Sequence, residues 1–222
     1  MFNLDNTTPQ ASNGSYLAGN AIHKVKFVEA TKAEVGKDKL PVVRIKFEDV
    51  EGKGAFEDTI FEPKSSERER GGPNNYESAS QMEQFQAKLR QYIAAVNPKL
   101  DKEINEGTKK LGAKDWDGMR DMIVAALMSK GKNVGVETSI KLLKNKAGYA
   151  QAPGFVAGLT KEGKVFHRTK FVGEDLSFTD QEMVQINKAN TSAPTQMANT
   201  NDDLGGGNDT ISDDLSFELD DL

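Results

Sequence analysis

The stretch Val43-Arg44-Ile45-Lys46-Phe47-Glu48 alternates apolar and charged side chains with a period of two. This alternation is typical of a β-strand with one buried and one solvated face. The turn-forming residues Glu51-Gly52-Lys53-Gly54 follow, and we expect them to make a hairpin turn into a strand over residues 55–61. Residues 22–28 alternate in the same way upstream. The sequence therefore predicts a three-stranded antiparallel meander.

Helical periodicity replaces this alternation in the middle of the chain. Ser80 and Glu83 have the spacing of a capping box, and apolar residues then recur every three or four positions until Asn97-Pro98. A short second helix follows, and a third is predicted over residues 115–129. Together these elements form a predicted helical insertion over about residues 77–130.

Alternation returns after the helices. Residues 134–142 form the most regular predicted strand, and a turn at Asn145 leads into residues 149–155. A second turn leads into a last strand over residues 164–171. Three strands, a helical insertion and two strands is the element order of an OB-fold, a five-stranded antiparallel barrel that binds oligonucleotides. The predicted fold is therefore mainly β with helices between strands three and four, although other small barrels and mixed α+β sheets share this order.

The charge of the chain is distributed unevenly. The formal net charge is −5, and residues 189–222 contain eight of the 34 acidic residues but none of the 29 basic ones, so residues 1–188 carry +3. Residues 189–222 are also rich in Asn, Thr, Ser and Gly. We expect a flexible N-terminal arm over residues 1–19, a folded domain over 20–188 and a disordered acidic tail over 189–222.

The residues that most enzymes need are scarce in this chain. It has two histidines, His23 and His167, and no cysteine, so it offers neither a Cys–His pair nor a cysteine zinc site. No apolar run is long enough to span a bilayer, and residues 1–19 lack the basic start and apolar core of a signal peptide. We therefore expect a cytoplasmic, non-enzymatic protein with no cofactor, no metal and no membrane association.

Basic and aromatic residues gather on the predicted strands and hairpins. Proteins that bind single strands use such residues to contact phosphates and to stack on bases. The first predicted group lies on the first three strands and comprises Lys24, Lys26, Arg44, Lys46 and Phe56, with Phe61 as the alternative aromatic residue. The second lies on two later hairpins and comprises Lys141, Lys144, Lys146, Tyr149, Lys161, Lys164, Phe166, Arg168 and Lys170.

Each of these residues also has a purely structural interpretation. Lysines on a half-exposed sheet commonly form a solvated face, and Phe27, Phe47 and Phe61 fit a place in the core better than a stacking role. Tyr149, next to Gly148 in a basic turn, is the aromatic residue that we most expect to stack on a base.

The last ten residues are Asp213-Asp214-Leu215-Ser216-Phe217-Glu218-Leu219-Asp220-Asp221-Leu222. A tail that serves only solubility would not need regularly spaced Leu and Phe. Acids can engage a basic rim on a partner while an apolar side chain enters a pocket, or they can fold back on the protein's own basic groove and compete with DNA. The predicted partner-binding residues are Asp213, Asp214, Phe217, Leu219, Asp220, Asp221 and Leu222.

This order of elements over residues 20–171, followed by a Gly- and Asn-rich linker and an acidic, apolar-tipped end, resembles the single-stranded DNA-binding proteins of bacteria. In its helical insertion and length it more closely resembles those of double-stranded DNA phages, which act in the host cytoplasm. The resemblance implies a protein that coats and protects single-stranded DNA in replication or recombination and recruits partner proteins through its tail. The chain ends Asp220-Asp221-Leu222 where the bacterial tip ends in a Pro-Phe pair, so the same tail partners are not implied.

Two other functions fit parts of the sequence. A structural or adaptor protein, with the barrel as a scaffold and the tail as a docking segment, fits a body charge of only +3. A metal-dependent nuclease would use Asp115, Asp117 and Asp121, although their spacing on one helix scatters the carboxylates. The sequence leaves the oligomeric state open, a homo-oligomer included.

Overall fold

The computed structural model describes residues 16–71, 76–154 and 156–191. Its elements in chain order are β1 (Ala21–Val35), β2 (Leu40–Asp49), β3 (Ala55–Ile60), β4 (Arg70–Gly71), β5 (Tyr76–Glu77), α1 (Gln81–Val96), α2 (Pro98–Asn105), α3 (Trp116–Met128), a 3₁₀ turn (Ser129–Gly131), β6 (Glu137–Lys144), β7 (Ala150–Gln151), β8 (Ala157–Leu159), β9 (Val165–His167) and α4 (Asp180–Thr191). The predicted N-terminal arm up to residue 15 and the tail from residue 192 lie outside these residues.

A five-stranded antiparallel sheet in the order β3-β2-β1-β6-β7 forms a half-barrel at the centre of the protein. β1 is its central strand, pairing with β2 along one side and with β6 along the other. The predicted five-stranded antiparallel sheet is therefore confirmed, in a protein of mixed α/β structure. Within the described residues, no helix has the length and apolar composition needed to cross a membrane.

The inner face of the sheet follows the predicted alternation. Phe27 of β1 and Ile45 and Phe47 of β2 are completely buried, and the rings of the two phenylalanines meet edge-on at 5.7 Å. The pairing of β1 with β2 shifts between Phe27 and Glu29, and this β-bulge brings Ala30 opposite Ile45. The bulge therefore keeps the buried residues of β1, from Val25 to Ala30, on the inner face.

Helix α1 fills the half-barrel through Tyr92, whose side chain is completely buried. The Tyr92 ring stacks on Phe47 with 5.9 Å between centroids and meets Phe171 edge-on at 5.3 Å. Its hydroxyl donates a 2.6 Å hydrogen bond to Asp58 Oδ2, and Lys88 Nζ lies 2.5 Å from the same oxygen. Burial, reinforced by the adjacent carboxylate, raises the pKa of Tyr92. The hydroxyl therefore remains a hydrogen-bond donor that joins α1 to β3.

The capping box predicted from Ser80 and Glu83 is present at the start of α1. Two glutamines further along the helix hold the C-terminal part of the chain. Gln84 Nε2 donates to the Ala157 carbonyl and Gln84 Oε1 accepts from the Ala157 N–H, both at 2.9 Å. Since Gln91 lies seven positions later, it projects from the same face of the helix.

Gln91 makes an equivalent pair of bonds further along the chain. Its Nε2 donates to the Thr169 carbonyl at 2.8 Å, and its Oε1 accepts from the Phe171 N–H at 3.0 Å. Buried backbone groups must be hydrogen-bonded somewhere. Each of the two glutamine amides therefore supplies the donor and acceptor that a neighbouring strand would otherwise supply.

The C-terminal strands differ from the predicted ones in extent and pairing. The fifth strand of the sheet is the two-residue β7, and the predicted strand over residues 164–171 is reduced to β9, which pairs with β8 in a separate two-stranded sheet. After β9, Thr169 and Phe171 bond to Gln91. Phe171 and Gly173 also bond to the backbone of β6, around an isolated bridge between Ile140 and Val172. A strand pattern in the sequence could not anticipate that a helix side chain would take the place of a strand.

Residues 16–20 lead into β1 and contact both β3 and β6. Leu17 is buried in the core, and its N–H donates to the Ala55 carbonyl of β3 at 3.0 Å. On the other side of β1, the Lys144 N–H of β6 donates to Asn20 Oδ1 at 2.9 Å. The folded body therefore includes residues that the sequence assigned to the arm, because Leu17 is an apolar anchor.

Replacing Gln91 with alanine is expected to lower the free energy of unfolding by about 1–3 kcal/mol, because two buried backbone groups lose their partners. Urea unfolding followed by circular dichroism measures this change. Gln86→Ala is the matched control, since Gln86 is exposed on the same helix, and we expect it to change stability by about 0.5 kcal/mol or less. Equal losses in the two variants would contradict the role assigned to Gln91.

Candidate nucleic-acid interface

The outer face of β1 and β2 carries the first predicted group of cations beside carboxylates. Glu48 lies between two of them, with Lys46 Nζ at 3.3 Å and Lys26 Nζ at 3.8 Å, and Arg44 Nε lies 3.4 Å from Glu57. These side chains are 35–44 % exposed, where an ion pair contributes about 0–1 kcal/mol. The pairs are weak, but the carboxylates neutralise this face and reduce its attraction for a polyanion.

Two aromatic residues near β3 are placed differently from their predictions. Phe56 lies on the inner face, where it pairs with Phe47 across the sheet and is only 6 % exposed. Phe61, expected in the core, is 53 % exposed just beyond the end of the strand. Phe56 therefore cannot stack on a base.

Lys24 is exposed, as predicted, and has no carboxylate partner among the described residues.

Lys141 was predicted to belong to the basic surface, but its side chain is buried. β6 directs its side chain to the outer face, but the chain leading into α4 covers that face, so the side chain is 2 % exposed. Its Nζ donates to Glu182 Oε2 at 2.8 Å and to the Ser177 carbonyl at 2.9 Å, and it lies 5.9 Å from the centre of the Phe178 ring. Lys141 therefore anchors the C-terminal helix and is unavailable to DNA.

Glu182 serves both the buried ion pair and the start of α4. Its Oε2 accepts from the Thr179 N–H at 2.8 Å, and its own N–H donates to Thr179 Oγ1 at 3.2 Å. These reciprocal bonds form a capping box at the start of α4. The partnership with Lys141 had no sequence signal, because the two residues are 41 positions apart.

The turn between β6 and β7 presents two lysines and a tyrosine. Lys144 and Lys146 are exposed, and the Tyr149 side chain is 72 % exposed. Asn145 Oδ1 accepts hydrogen bonds from the N–H groups of Ala147 at 3.0 Å and Tyr149 at 2.9 Å. The side-chain bonds of Asn145 restrict the backbone of the turn, which presents the Tyr149 ring to solvent.

The sequence around this turn contains no acidic residue from position 138 to position 160. The outer face of β1 and β2 differs, because three of its cations lie beside carboxylates. Here the acid nearest in sequence to Lys144 and Lys146 on β6 is Glu137, at the far end of the strand. Lysines without an adjacent acid retain their full attraction for phosphate. This turn is therefore the most basic part of the predicted surface.

The β8–β9 hairpin carries most of the remaining predicted residues. Lys161 and Lys164 are exposed at its tip, which is closed by bonds from the Thr160 N–H to the Lys164 carbonyl at 2.8 Å and from the Gly163 N–H to the Thr160 carbonyl at 2.9 Å. Lys170 follows the hairpin, and its Nζ donates to the Glu174 carbonyl at 2.6 Å. The two tip lysines thus lie on a closed, well-defined turn.

Phe166 lies across the hairpin from Gly158, and the ring covers the glycine. A Cβ atom at position 158 would lie 2.9 Å from Phe166 Cζ, closer than carbon atoms approach in proteins. Glycine is therefore required at position 158 for the ring to stay in place. Phe166 remains 45 % exposed, so its other surface is accessible.

Arg68 holds the tip of this hairpin against the start of α1. Its Nη2 donates to the Gly163 carbonyl at 3.0 Å and to Glu83 at 2.6 Å, and its Nη1 donates to Glu77 at 3.1 Å. The Arg68 guanidinium, assisted by hydrogen bonds from Ser80, lowers the pKa of Glu83 to about 2.

Both hairpins border a cleft of about 1160 Å³ that is lined by β3, the loop before β4, α1 and β7 to β9. Its charged lining residues are five acids, Glu57, Asp58, Glu67, Glu69 and Glu77, and two bases, Lys88 and Arg168. Phe166 also lines it. An excess of carboxylates repels a phosphate backbone, so the candidate interface is the basic tips of the hairpins, and Phe166 and Arg168 border the acidic cleft.

The three aspartates of the alternative nuclease have structural partners. Asp115 caps α3 through a 2.8 Å bond from a backbone N–H, Asp117 lies 2.6 Å from Arg120, and Asp121 lies 2.6 Å from Lys32. Among the described residues, no group of three or more His, Cys, Asp or Glu is placed to hold a metal ion. The predicted partner-binding residues of the tail lie outside the described part of the chain.

Comparisons of the chain with protein-family models, with curated proteins and with solved structures find no match. A functional proposal for this protein therefore depends on its own sequence and geometry.

Removing the Lys141 ammonium is expected to destabilise the fold, since Glu182 would be left as a buried, unpaired carboxylate. Lys141→Met should lower the free energy of unfolding by about 3–5 kcal/mol, and Lys141→Met combined with Glu182→Gln should recover part of this loss. Lys144→Met is the control, because Lys144 is exposed on the same strand. Urea unfolding of the three variants measures the differences, and equal stability of the two single variants would contradict the buried pair.

Stability should depend on pH through Glu83. Its pKa is lowered from 4.5 to about 2 in the folded protein, so its contribution is fully present above about pH 4.5 and is lost as the pH falls towards 2. Glu83→Gln removes this titration. Urea unfolding in steps from pH 5 to pH 2 should therefore show a shallower loss for the variant, and parallel curves for the two proteins would contradict the Arg68–Glu83 interaction.

Proposed function

We propose that this chain is a non-enzymatic single-stranded DNA-binding protein whose interface is the β6–β7 turn and the tip of the β8–β9 hairpin. The main support is the exposure of Lys144, Lys146 and Tyr149 on a stretch of chain without acidic residues. Lys161 and Lys164 extend the basic character to the second hairpin.

The chemistry of these tips favours single strands over duplex DNA. Lysines contact phosphates in either form, whereas the exposed ring of Tyr149 can stack only on a base that is not already stacked within a duplex. Because the contacts are to phosphates and to the flat faces of bases, binding should depend little on sequence. It should weaken steeply with salt.

The same proposal includes an OB-like arrangement of the sheet and a role in replication or recombination. The half-barrel with two hairpins at its edge is compatible with the OB arrangement, in which strands and adjoining loops contact the oligonucleotide. The protein would coat and protect exposed single strands without catalytic turnover. The acidic tail would recruit replication or recombination proteins through Phe217, Leu219 and Leu222.

Fluorescence anisotropy with labelled oligo-dT and with a duplex of equal length tests this proposal, using the full chain and a form that lacks residues 204–222. We expect tighter binding of the single strand, and tighter binding at low salt once the acidic tail is removed. A dissociation constant no better than about 1 μM at low salt, even without the tail, would be no stronger than non-specific binding and would reject the proposal. Binding of neither DNA would favour the adaptor function.

Variants in the two tips locate the interface. Tyr149→Ala should weaken oligo-dT binding by about 1–3 kcal/mol if one base stacks on the ring. Lys146→Gln and Lys164→Gln should each reduce the slope of log K against log salt by about 0.7. Lys37→Gln is the charge-matched control, because the β1–β2 turn lies at the end of the sheet opposite the β6–β7 turn. If Lys37→Gln weakened oligo-dT binding as much as the tip variants do, the interface would have to lie elsewhere.

A further inference from the structure

β3 forms one edge of the half-barrel, and part of its backbone is unpaired there. Alternate residues of β3 bond to β2, and the residues between them, Ala55, Glu57 and Thr59, direct their N–H and C=O groups away from the sheet. The Ala55 carbonyl is bonded by Leu17. The corresponding groups of Glu57 and Thr59 have no hydrogen-bond partner among the described residues.

The acidic cleft adjoins this unpaired edge. Phe56, Glu57 and Asp58 of β3 line it, and so do the residues of β7 at the other edge of the sheet. Each neighbouring pair in the order β3-β2-β1-β6-β7 is antiparallel, so β3 and β7 run in the same direction. A strand that entered the cleft antiparallel to β3 would therefore also be antiparallel to β7.

The side chains around the cleft restrict the chemistry of such a strand. Glu67 and Glu69 are exposed, and their carboxylates have no partner among the described residues. Glu57 lies on the outer face of β3, and Phe56 and Phe85 line the cleft on its inner side. Cross-strand pairs of opposite charge and of apolar residues stabilise strand pairing. The matching strand therefore alternates basic side chains outside with apolar side chains inside.

We propose that the cleft binds an extended basic segment of a partner protein, which adds to β3 as a sixth, antiparallel strand. Strand addition uses unpaired backbone groups for affinity and alternate side-chain contacts for specificity. The acidic lining disfavours nucleic acid as the occupant, since five carboxylates against two cations repel a phosphate backbone. This proposal does not depend on the DNA-binding function of the hairpin tips.

A labelled peptide of about ten residues that alternates lysine with valine serves as the probe, with a glutamate–valine peptide as its counterpart. Titration of the full chain, followed by anisotropy, should show binding of the lysine peptide alone. The combined variant Glu67→Gln and Glu69→Gln should weaken that binding about fivefold or more. The combined variant Glu34→Gln and Asp38→Asn, which removes two exposed acids at the β1–β2 turn, should leave it unchanged. All of these proteins retain the acidic tail, so its attraction for lysine is common to them.

Backbone hydrogen exchange separates strand addition from general charge attraction. At saturating peptide, the amide hydrogens of Glu57 and Thr59 should exchange at least about tenfold more slowly. The exchange rates of Phe56 and Asp58, whose amides already bond to β2, should not change. Thr59→Pro removes one edge N–H and should weaken binding, with Thr59→Ala as its control. Peptide binding without protection of Glu57 and Thr59, or equal binding of the glutamate peptide, would overturn the proposal.

Discussion

The bonds between α1 and the backbone of the last third of the chain are the interaction on which the rest of the structure depends. Residues 157–171 make few strand pairs, so their buried N–H and C=O groups need partners from elsewhere. Gln84 and Gln91 provide these partners at both ends of the β8–β9 region. The same helix carries Tyr92 into the half-barrel and Glu83 to Arg68. One helix thus fixes the position of the second candidate hairpin relative to the sheet.

The fold separates charges that are intermixed in the sequence. On the outer face of β1 to β3, lysines and glutamates alternate across strands and cancel. Acids of β3 and of the loop before β4 converge on the cleft, while the β6–β7 turn retains lysines alone. The net charge of +3 for residues 1–188 is therefore a sum over surface regions of very different charge. The distribution of charge, and not its sum, distinguishes the region suited to phosphates from the region suited to basic peptides.

The local elements of this fold could be predicted because their signals lie within a few residues of each other. Alternation predicted β2 and the buried Phe27 and Phe47, and the three-residue spacing from Ser80 to Glu83 predicted the start of α1. The sequence of a strand does not show which distant part of the chain will cover its faces. Lys141 follows the polar pattern of β6, and only the return of the distant chain at Glu182 buries it.

The glutamine bonds were missed for a related reason. Gln84 and Gln91 are polar residues on an amphipathic helix, which are ordinarily solvated, and nothing in their spacing reveals a backbone partner more than 70 positions away. Phe56 and Phe61 show the limit of alternation itself, because Phe56 pairs with Phe47 inside the sheet and Phe61 lies just past its end. The candidate tips, by contrast, were visible in the sequence because a turn with lysines and no acid is a local pattern.

The pairing of β1 with β6 has a consequence for synthesis on the ribosome. The residues that pair are separated by about 115 positions, which corresponds to roughly 6–25 s of translation at about 5–20 residues per second. During that interval the central strand of the sheet has one side unpaired, although β2 and β3 are already available on the other. Until β6 is synthesised, one side of β1 is therefore an exposed strand edge. The charged residues that alternate with its apolar ones would limit its association with other chains at this stage.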